Sequence, residues 1–406
     1  MNHPAEILVI GGGAAGFFAA ITAAETNPSA RVVVLERGNA VLQKVKISGG
    51  GRCNVTHACY DARELTQYYP RGSRELLGPF LRFGPRETVR WFEQRGVRLK
   101  TEADGRMFPV TDDSQTIIDC LWKAARAAGV QVRMGARVET IEPAENGQWR
   151  VRLARSETLT ANRLLVATGS SEAGWTMLAG LGIAIVEPVP SLFTFNIKDE
   201  RLRELAGVSV PAAAVQVEGA RLQAEGPLLV THWGLSGPAI LRLSAWGARD
   251  LHRMGYAFTL TVNWLADQTE AEIAARLLQS KQENAKRQIA ANPPFNLPKR
   301  LWERLVQAAG IDPGMRWADA GKTALQQLAS QLGAGRFSVR GKSAFKEEFV
   351  TAGGVDLREV DFKTFQSKRF PGLYFAGEVL DIDAITGGFN FQAAWTGGWI
   401  AGSAMV

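Results

Sequence analysis

The sequence predicts an α/β fold: a parallel sheet flanked by helices, interrupted by an inserted β-rich plus helical domain. Three observations predict it. The chain opens on an apolar run, a glycine cluster and a helical pattern, followed by a second apolar run that ends in an acid (residues 5–37). Near the C-terminus the order recurs as the strand LYFA, Gly377-Glu378, a glycine pair and a helix. Between these ends, from about Pro188–Pro190, short β-type runs with period-two alternation take over.

The first element is AEILVI, apolar and β-rich, and GGGAAG follows at once. Gly11-x-Gly13-x-x-Gly16 fits the dinucleotide fingerprint, AAGFFAAITAAETN reads as a helix, and RVVVLER as a second buried strand. Each glycine has a distinct task. Gly11 permits the tight turn, Gly13 lets backbone approach a pyrophosphate, and Gly16 lets the helix pack closely on the strand. The helix N-terminus, at Ala14 and Ala15, offers N–H groups and a positive dipole end to phosphates. Glu36, 20 residues after Gly16 and followed by Arg37, suits both ribose hydroxyls of an adenosine. An acid there repels a 2′-phosphate, which favours FAD or NAD over NADP. The first domain is therefore Rossmann-like.

Two later stretches decide between FAD and NAD. In ANRLLVATGS a strand runs through Ala167 into Thr168-Gly169, returning the chain beneath the dinucleotide. In GLYFAGEVLDIDAITGGFNFQAAWTGGWIAG, the small residues Gly377, Gly387 and Gly388 allow close approach, and Glu378 and Asp381 suit sugar or ribityl hydroxyls. The helix that begins near Phe389-Asn390 directs its positive end toward a pyrimidine carbonyl that gains charge on reduction.

These motifs resemble those of the two-dinucleotide-fold flavoproteins. More narrowly, SGGGRCN, GRMFP, THWGLSGPA, VTAGGV and YFAGEVLDIDAITGGFN are similar to the BaiN-type NAD(P)/FAD-dependent oxidoreductases of bacteria, also named aminoacetone oxidase family FAD-binding enzymes. The resemblance covers nearly the whole chain and implies non-covalent FAD. The family's activities include bile-acid dienone reduction. One departure is His57, where the pattern RCNxTN carries asparagine.

With FAD placed, SGGGRCN (48–54) reads as a cofactor loop. Ser48, Gly49, Gly50 and Gly51 are expected to present N–H groups to the pyrophosphate and the flavin edge, Lys46 and Arg52 to offset negative charge, and Asn54 to donate to a ring carbonyl. Cys53 reads as a buried packing residue, since no partner stands at CxxC spacing. Cys53, His57 and Cys59 match no common zinc spacing, and no metal is expected.

Residues 61–135 read as helices and short strands, and QVRMGARVETIEP as a strand that carries Val138 past the adenine. GRMFP suits a loop over the site or a turn with a packing Phe. The FAD-binding domain is expected to comprise residues 1–189 and 346–406, with the insertion at 190–345, β-rich over 190–265 and helical over 266–334. In YAFTLTVNW, Phe258, Leu260, Val262 and Trp264 alternate with polar residues as on a half-buried strand. THWGLSGPA lacks GxSxG spacing, so it reads as a polar loop rather than a nucleophile elbow. Its His232 and Ser236, with Arg52, are the candidate catalytic side chains.

At 406 residues the chain has room for two or three domains, and 46% hydrophobic with 21% charged residues is ordinary for a soluble protein. No apolar run of about 18 residues suggests a membrane span, and the N-terminus lacks signal-peptide features. Three cysteines without CxxC spacing point to a reducing, cytoplasmic setting. The net charge of +7 is dispersed, which favours solubility and phosphate binding over a nucleic-acid partner.

No second nucleotide fingerprint is present, so NAD(P)H, if it is the reductant, docks transiently. The leading expectation is NAD(P)H-driven reduction of a small, electron-poor C=C substrate through the flavin. An oxidase of a small amine, an RNA-associated flavoprotein and a non-catalytic flavin carrier remain the alternatives.

Overall fold

The computed structural model describes residues 6–154, 156–343 and 350–406. The chain divides into two compact units, residues 1–189 with 346–406, and residues 190–345. The expected crossing between domains at 345–346, and residues 1–5 of the N-terminus, lie outside the described residues.

The first unit is built on β1 (Glu6–Ile10), α1 (Ala14–Thr26) and β2 (Arg31–Leu35). Four of the five residues in each strand are buried, as a sheet covered on both faces requires. β1 pairs in parallel with β2 and with Arg163–Val166, and that strand pairs in parallel with Leu373–Phe375. Gln131–Arg133 joins β2 in parallel, and Val360–Asp361 and Gln366–Ser367 complete the sheet of seven as an antiparallel edge. This is the Rossmann-like α/β fold that the sequence predicts.

Between its strands, α2 (Gln43–Gly51) and a small antiparallel sheet of Thr56–His57, Leu99–Thr101 and Arg106–Pro109 follow. GRMFP is thus a strand rather than a covering loop, with Phe108 fully buried. QVRMGARVETIEP is not one strand. Gly135, at φ 67°, breaks it, and Val138–Pro143 starts a separate meander with Trp149–Leu153 and Thr158–Ala161.

α1 is apolar nearly all round because it is enclosed: Ala15 through Ala24 are all buried. On one side it meets the C-terminal helix, Phe389–Ala404, through positions that leave no room for side chains. A Cβ on Gly398 would lie 2.7 Å from the Ala15 carbonyl oxygen, and one on Gly402 2.5 Å from that of Ala19. The run TGGWIAG therefore exists to bring two helix backbones together.

The second unit closes a six-stranded antiparallel barrel in the order Thr194–Ile197, Gly234–Ser236, Leu222–Val230, Ser209–Val217, Ala257–Asn263 and Gly335–Ser343. The helices Glu270–Glu283, Lys299–Ala308 and Lys322–Gly333 precede its last strand. The simple order of strands then helices needs two amendments. Pro238–Trp246 and Ala248–Arg253 are helices within the β-rich stretch, and Gly335–Ser343 is needed to remove the barrel's open edges. Leu260 and Val262 point into the core, while Trp264 lies just beyond its strand and is buried all the same.

Gly402→Val is expected to lower unfolding free energy in urea by about 2–3 kcal/mol, since overpacking meets backbone that cannot yield. Gly78→Ala, in helix Ser73–Arg82 with open space at its Cβ, serves as the control. It should be neutral or stabilising by about 0.5–1 kcal/mol.

Candidate dinucleotide site

Because β1, β2, Arg163–Val166 and Leu373–Phe375 run parallel, their C-terminal ends share one edge of the sheet. That edge gathers Gly11–Gly13, Glu36, Ala167–Gly169 and Gly377–Glu378 from four distant stretches of sequence. Brought to it by packing are the N-terminus of α1 and the start of α2, whose Leu42 N–H donates to the Gly12 carbonyl (2.8 Å). Open α/β sheets bind ligands at such an edge.

The glycines at this edge divide by what surrounds them. Gly11, at φ 112°, lies so close to Ala167 that a Cβ would strike the Ala167 carbonyl, and Gly16 is pressed on the Gly11 carbonyl. Gly377, at φ 77°, approaches Ala15, where a Cβ would stand 2.9 Å from that of Ala15. Gly13, by contrast, has nothing within 4 Å of its Cβ position. It opens the first turn of α1, which has neither a capping side chain nor an acid. The first turn therefore offers uncapped N–H groups and a positive helix end beside a glycine with room at its Cβ position.

Glu36 is fixed by its own loop. It accepts from the Gly12 N–H through Oε2 (2.9 Å) and from the Gly38 N–H through Oε1 (2.7 Å). A carboxylate has about four acceptor positions, so this bracing leaves capacity for ribose hydroxyls. Ala136 donates to the Glu36 carbonyl, placing Val138 two residues further on, half-buried. Arg37 is exposed. Thr168 Oγ1 is buried and, among the described residues, makes no hydrogen bond.

The residues of SGGGRCN divide between open backbone and side chains engaged within the protein. α2 loses helical geometry at Ser48, and Gly49, Gly50 and Gly51 follow with φ 57°, 68° and 83°. Gly50 and Gly51 have open space at their Cβ positions, as a backbone surface for a ligand requires, whereas Gly49 is packed against Asn54 and Phe108. Ser48 is occupied locally: Oγ donates to the Val45 carbonyl (2.9 Å) and its carbonyl accepts from Cys53 (3.0 Å). Arg52 is engaged by carboxylates of the protein itself. It pairs with Glu102 (2.7 Å) and Asp112 (3.4 Å) and lies 3.9 Å above the Phe108 ring. The Asn54 amide, oriented by its neighbours, donates to the carbonyls of Thr56 and Met107 and accepts from the Gly388 N–H (2.9 Å), so it braces the loop.

Lys46 is exposed and its carbonyl accepts from Ser114. The lysine at the strand edge is Lys44, which pairs with Glu378 and donates to Ser170 Oγ (3.0 Å). Two residues on a helix stand about 200° apart in phase, so only one of the pair can face the edge.

The loop after Glu378 is organised by a pair that sequence reasoning missed. Arg71 and Asp383 form a two-pronged ion pair, with Asp383 fully buried. Nothing local marks it, because the partners lie 312 positions apart. Asp381 is almost fully buried and its N–H donates to Val355. Asn390 folds the loop back, accepting from the Ala384 N–H (2.9 Å) and donating to the Ala384 carbonyl (3.1 Å). Gly387 and Gly388 have φ 136° and 88°, and Gly388 precedes a helix end that again lacks a cap or an acid. Phe389 is buried against both His57 (4.7 Å) and Tyr68 (4.3 Å), whose rings also meet each other (5.8 Å). His57 Nε2 contacts the Asp104 carbonyl (3.0 Å), and its buried Nδ1 makes no hydrogen bond among the described residues.

Cys53 is fully buried, and burial pushes its thiol up to about 12 against the opposing hydrogen bond from Ser48. It is not a thiolate at neutral pH. Among the described residues no three His, Cys, Asp or Glu side chains converge as a metal would need, and no helix is long and apolar enough to cross a membrane.

The candidate catalytic residues in the second unit are placed differently. His232 is exposed, in a turn that Thr231 ties to Gly234. Ser236 ends a strand and helix Pro238–Trp246 follows, so THWGLSGPA contains a strand-to-helix turn that its sequence did not suggest. Ser236 Oγ accepts from Thr194 (2.9 Å).

The model of the HI0933-like protein Rossmann domain matches residues 5–404. The chain belongs to that family. It is 28% identical over 413 residues to the ribosomal RNA dihydrouridine synthase of Escherichia coli K12, covering 99% of this chain and 98% of that one. It is also 28% identical to the 3-dehydro-bile acid delta(4,6)-reductase of Clostridium scindens, covering 98% of each. Among solved structures, the 3-ketosteroid-delta4-(5alpha)-dehydrogenase of Rhodococcus jostii RHA1 matches with TM-score 0.54 at 17% identity, over 100% of this chain and 97% of the other. That likeness shows the fold. The family member described here is an FAD-dependent oxidoreductase, and the residues fit that cofactor: an uncapped helix end beside open Gly13, a braced ribose acid, and bare backbone at Gly50 and Gly51.

Two expected outcomes follow from burial. In the folded protein at pH 8, Ellman's reagent should leave all three thiols unreacted over minutes and titrate three after denaturation; a fast native thiol would contradict the buried assignment. Burial holds the His57 imidazole below its usual value, with weaker opposing pulls from Asp104. The unfolded chain then binds the proton first, so this group costs stability as pH falls below about 6.5 and costs nothing above it. His57→Phe, which keeps the stack, should flatten the stability–pH curve in that acidic window, as measured by urea midpoints.

Proposed function

We propose that this chain catalyses NAD(P)H-driven reduction of a C=C bond conjugated to a carbonyl. The observation that carries the reading is shared chemistry in the names of its full-length relatives. Dihydrouridine is uridine with hydrogen added across a C=C conjugated to a ring carbonyl, and a delta(4,6) 3-dehydro-bile acid is a conjugated dienone. Both are electron-poor alkenes that accept hydride at the carbon remote from the carbonyl.

Bound FAD supplies the hydride-transfer chemistry. The protein's part is to bind and orient. The α1 N-terminus and Gly13 receive the pyrophosphate, Glu36 holds the adenosine ribose, and Gly50–Gly51 let backbone lie close to the ligand. The uncapped helix end at Phe389 favours negative charge arising nearby. Asn54, Arg71 and Asp383 keep the loop that carries Gly387–Gly388 in place. Cys53 takes no part, since a buried neutral thiol does not relay electrons.

A second carrier of the same conjugated group has its own support. Two relatives are named for ribosomal RNA, and the chain carries a net charge of +7. Uridine within RNA is then the acceptor in place of a free enone, with the same bond reduced.

Anaerobic stopped-flow mixing with NADH and NADPH tests the reading. One donor should bleach the flavin band, and a conjugated acceptor, either a steroid dienone or an RNA transcript, should restore it. An RNA acceptor should act in a strongly salt-dependent way, and a free dienone should not. No bleaching by either donor would overturn the reductase reading and move the search to an oxidase of a small amine.

A further inference from the structure

Lys44 stands at the strand edge with a partner that the cofactor would be expected to replace. It lies two residues after Leu42, whose N–H is fastened to Gly12 within the fingerprint turn. Its ammonium pairs with Glu378 and donates to Ser170. One lysine thereby spans α2, the stretch after Thr168-Gly169 and the Gly377-Glu378 corner, the three segments that border the open space at Gly13. The side chain of Lys44 is 50% exposed and that of Glu378 is 19% exposed. The pair thus lies at the mouth of the edge rather than in the core.

The electrostatics at that mouth are unbalanced once a pyrophosphate arrives. Gly377 packs against Ala15 in the first turn of α1, so the Glu378 carboxylate is held near the helix end that receives phosphate. Two phosphate charges there repel a carboxylate and attract an ammonium. A half-exposed ion pair is weak and easily broken, whereas an ammonium is an effective point-charge partner for phosphate. Ser170, which shares the Lys44 ammonium with Glu378, follows directly on Thr168-Gly169, so the pair is tied to the end of a second central strand.

We infer that Lys44 is a pyrophosphate-binding residue that exchanges Glu378 for the phosphates when the dinucleotide binds. The inference rests on the FAD reading of the edge. Lys44 closes the mouth in the free protein and holds the phosphates in the loaded one. Its release leaves Glu378 available as an acceptor for sugar hydroxyls.

The test uses the full chain stripped of flavin, with FAD binding followed by quenching of flavin fluorescence at two salt concentrations. Lys44→Met should weaken FAD binding about 10-fold to 30-fold and reduce its salt dependence. Glu378→Gln, which keeps an acceptor but frees Lys44, should tighten binding about threefold. Thermal melts of the stripped variants should match the wild type, separating binding from folding. Equal weakening by both substitutions, with no further loss in the double variant, would make the pair a structural tie and overturn the exchange. Unchanged affinity and salt dependence in Lys44→Met would overturn it as well. A wild-type chain that takes up no FAD would fail at the earlier step, removing the cofactor reading itself.

Discussion

α1 is held between the sheet and the C-terminal helix by contacts that admit no Cβ, and the rest of the first unit depends on that closeness. Gly16 rests on the Gly11 carbonyl, Gly398 on that of Ala15 and Gly402 on that of Ala19. With the helix so near, its N-terminal N–H groups are delivered to the ends of the central strands. Larger residues at any of these places would move the helix outward and carry its positive end away from Gly13. A packing constraint therefore fixes an electrostatic one.

The electrostatic arrangement has a second tier. Both helix ends at the site, at Gly13 and at Gly388, lack caps and first-turn acids. Left uncompensated, such ends carry unsatisfied donors. The nearby side chains do not cap them but hold the surrounding loops: Glu36 on Gly12 and Gly38, Asn54 on Gly388, and Asp383 with Arg71. Breaking a buried pair such as the last leaves an uncompensated charge, which typically costs about 3–5 kcal/mol. The loop geometry is thereby set before any ligand is present, and little rearrangement is needed to receive one.

How much of this was legible in the sequence varied with how local its cause is. β1, α1, β2 and Glu36 could be read because glycine spacing, hydrophobic period and the terminal acid lie within one stretch of chain. The strand ends at Ala167 and Gly377 were readable for the same reason. That Lys44 and not Lys46 meets Glu378 was hidden because the phase of α2 is invisible when SGGG is taken as a loop from its start. The ion pairs of Arg52 were hidden because Glu102 and Asp112 stand 50 and 60 positions further along the chain. Arg71 with Asp383, and the barrel-closing strand Gly335–Ser343, depend on pairings that only the folded chain supplies.

The same division bears on what distinguishes members of the family. Relatives at 28% identity carry names for two different acceptors, a nucleoside in RNA and a bile acid. Gly11, Gly16 and Gly377 are dictated by the protein atoms packed against them, and Gly13 leaves room beside the helix end; neither constraint depends on the acceptor. In the first unit His57, Phe389 and Tyr68 cluster beside the Gly387–Gly388 turn, with His57 held to the Asp104 carbonyl. His57 departs there from the asparagine of the related pattern, adding a ring where that pattern has an amide. A ring in that position sets the shape and polarity beside the turn through Phe389, while the close contacts at Gly11, Gly16 and Gly377 are made by other elements and do not involve it.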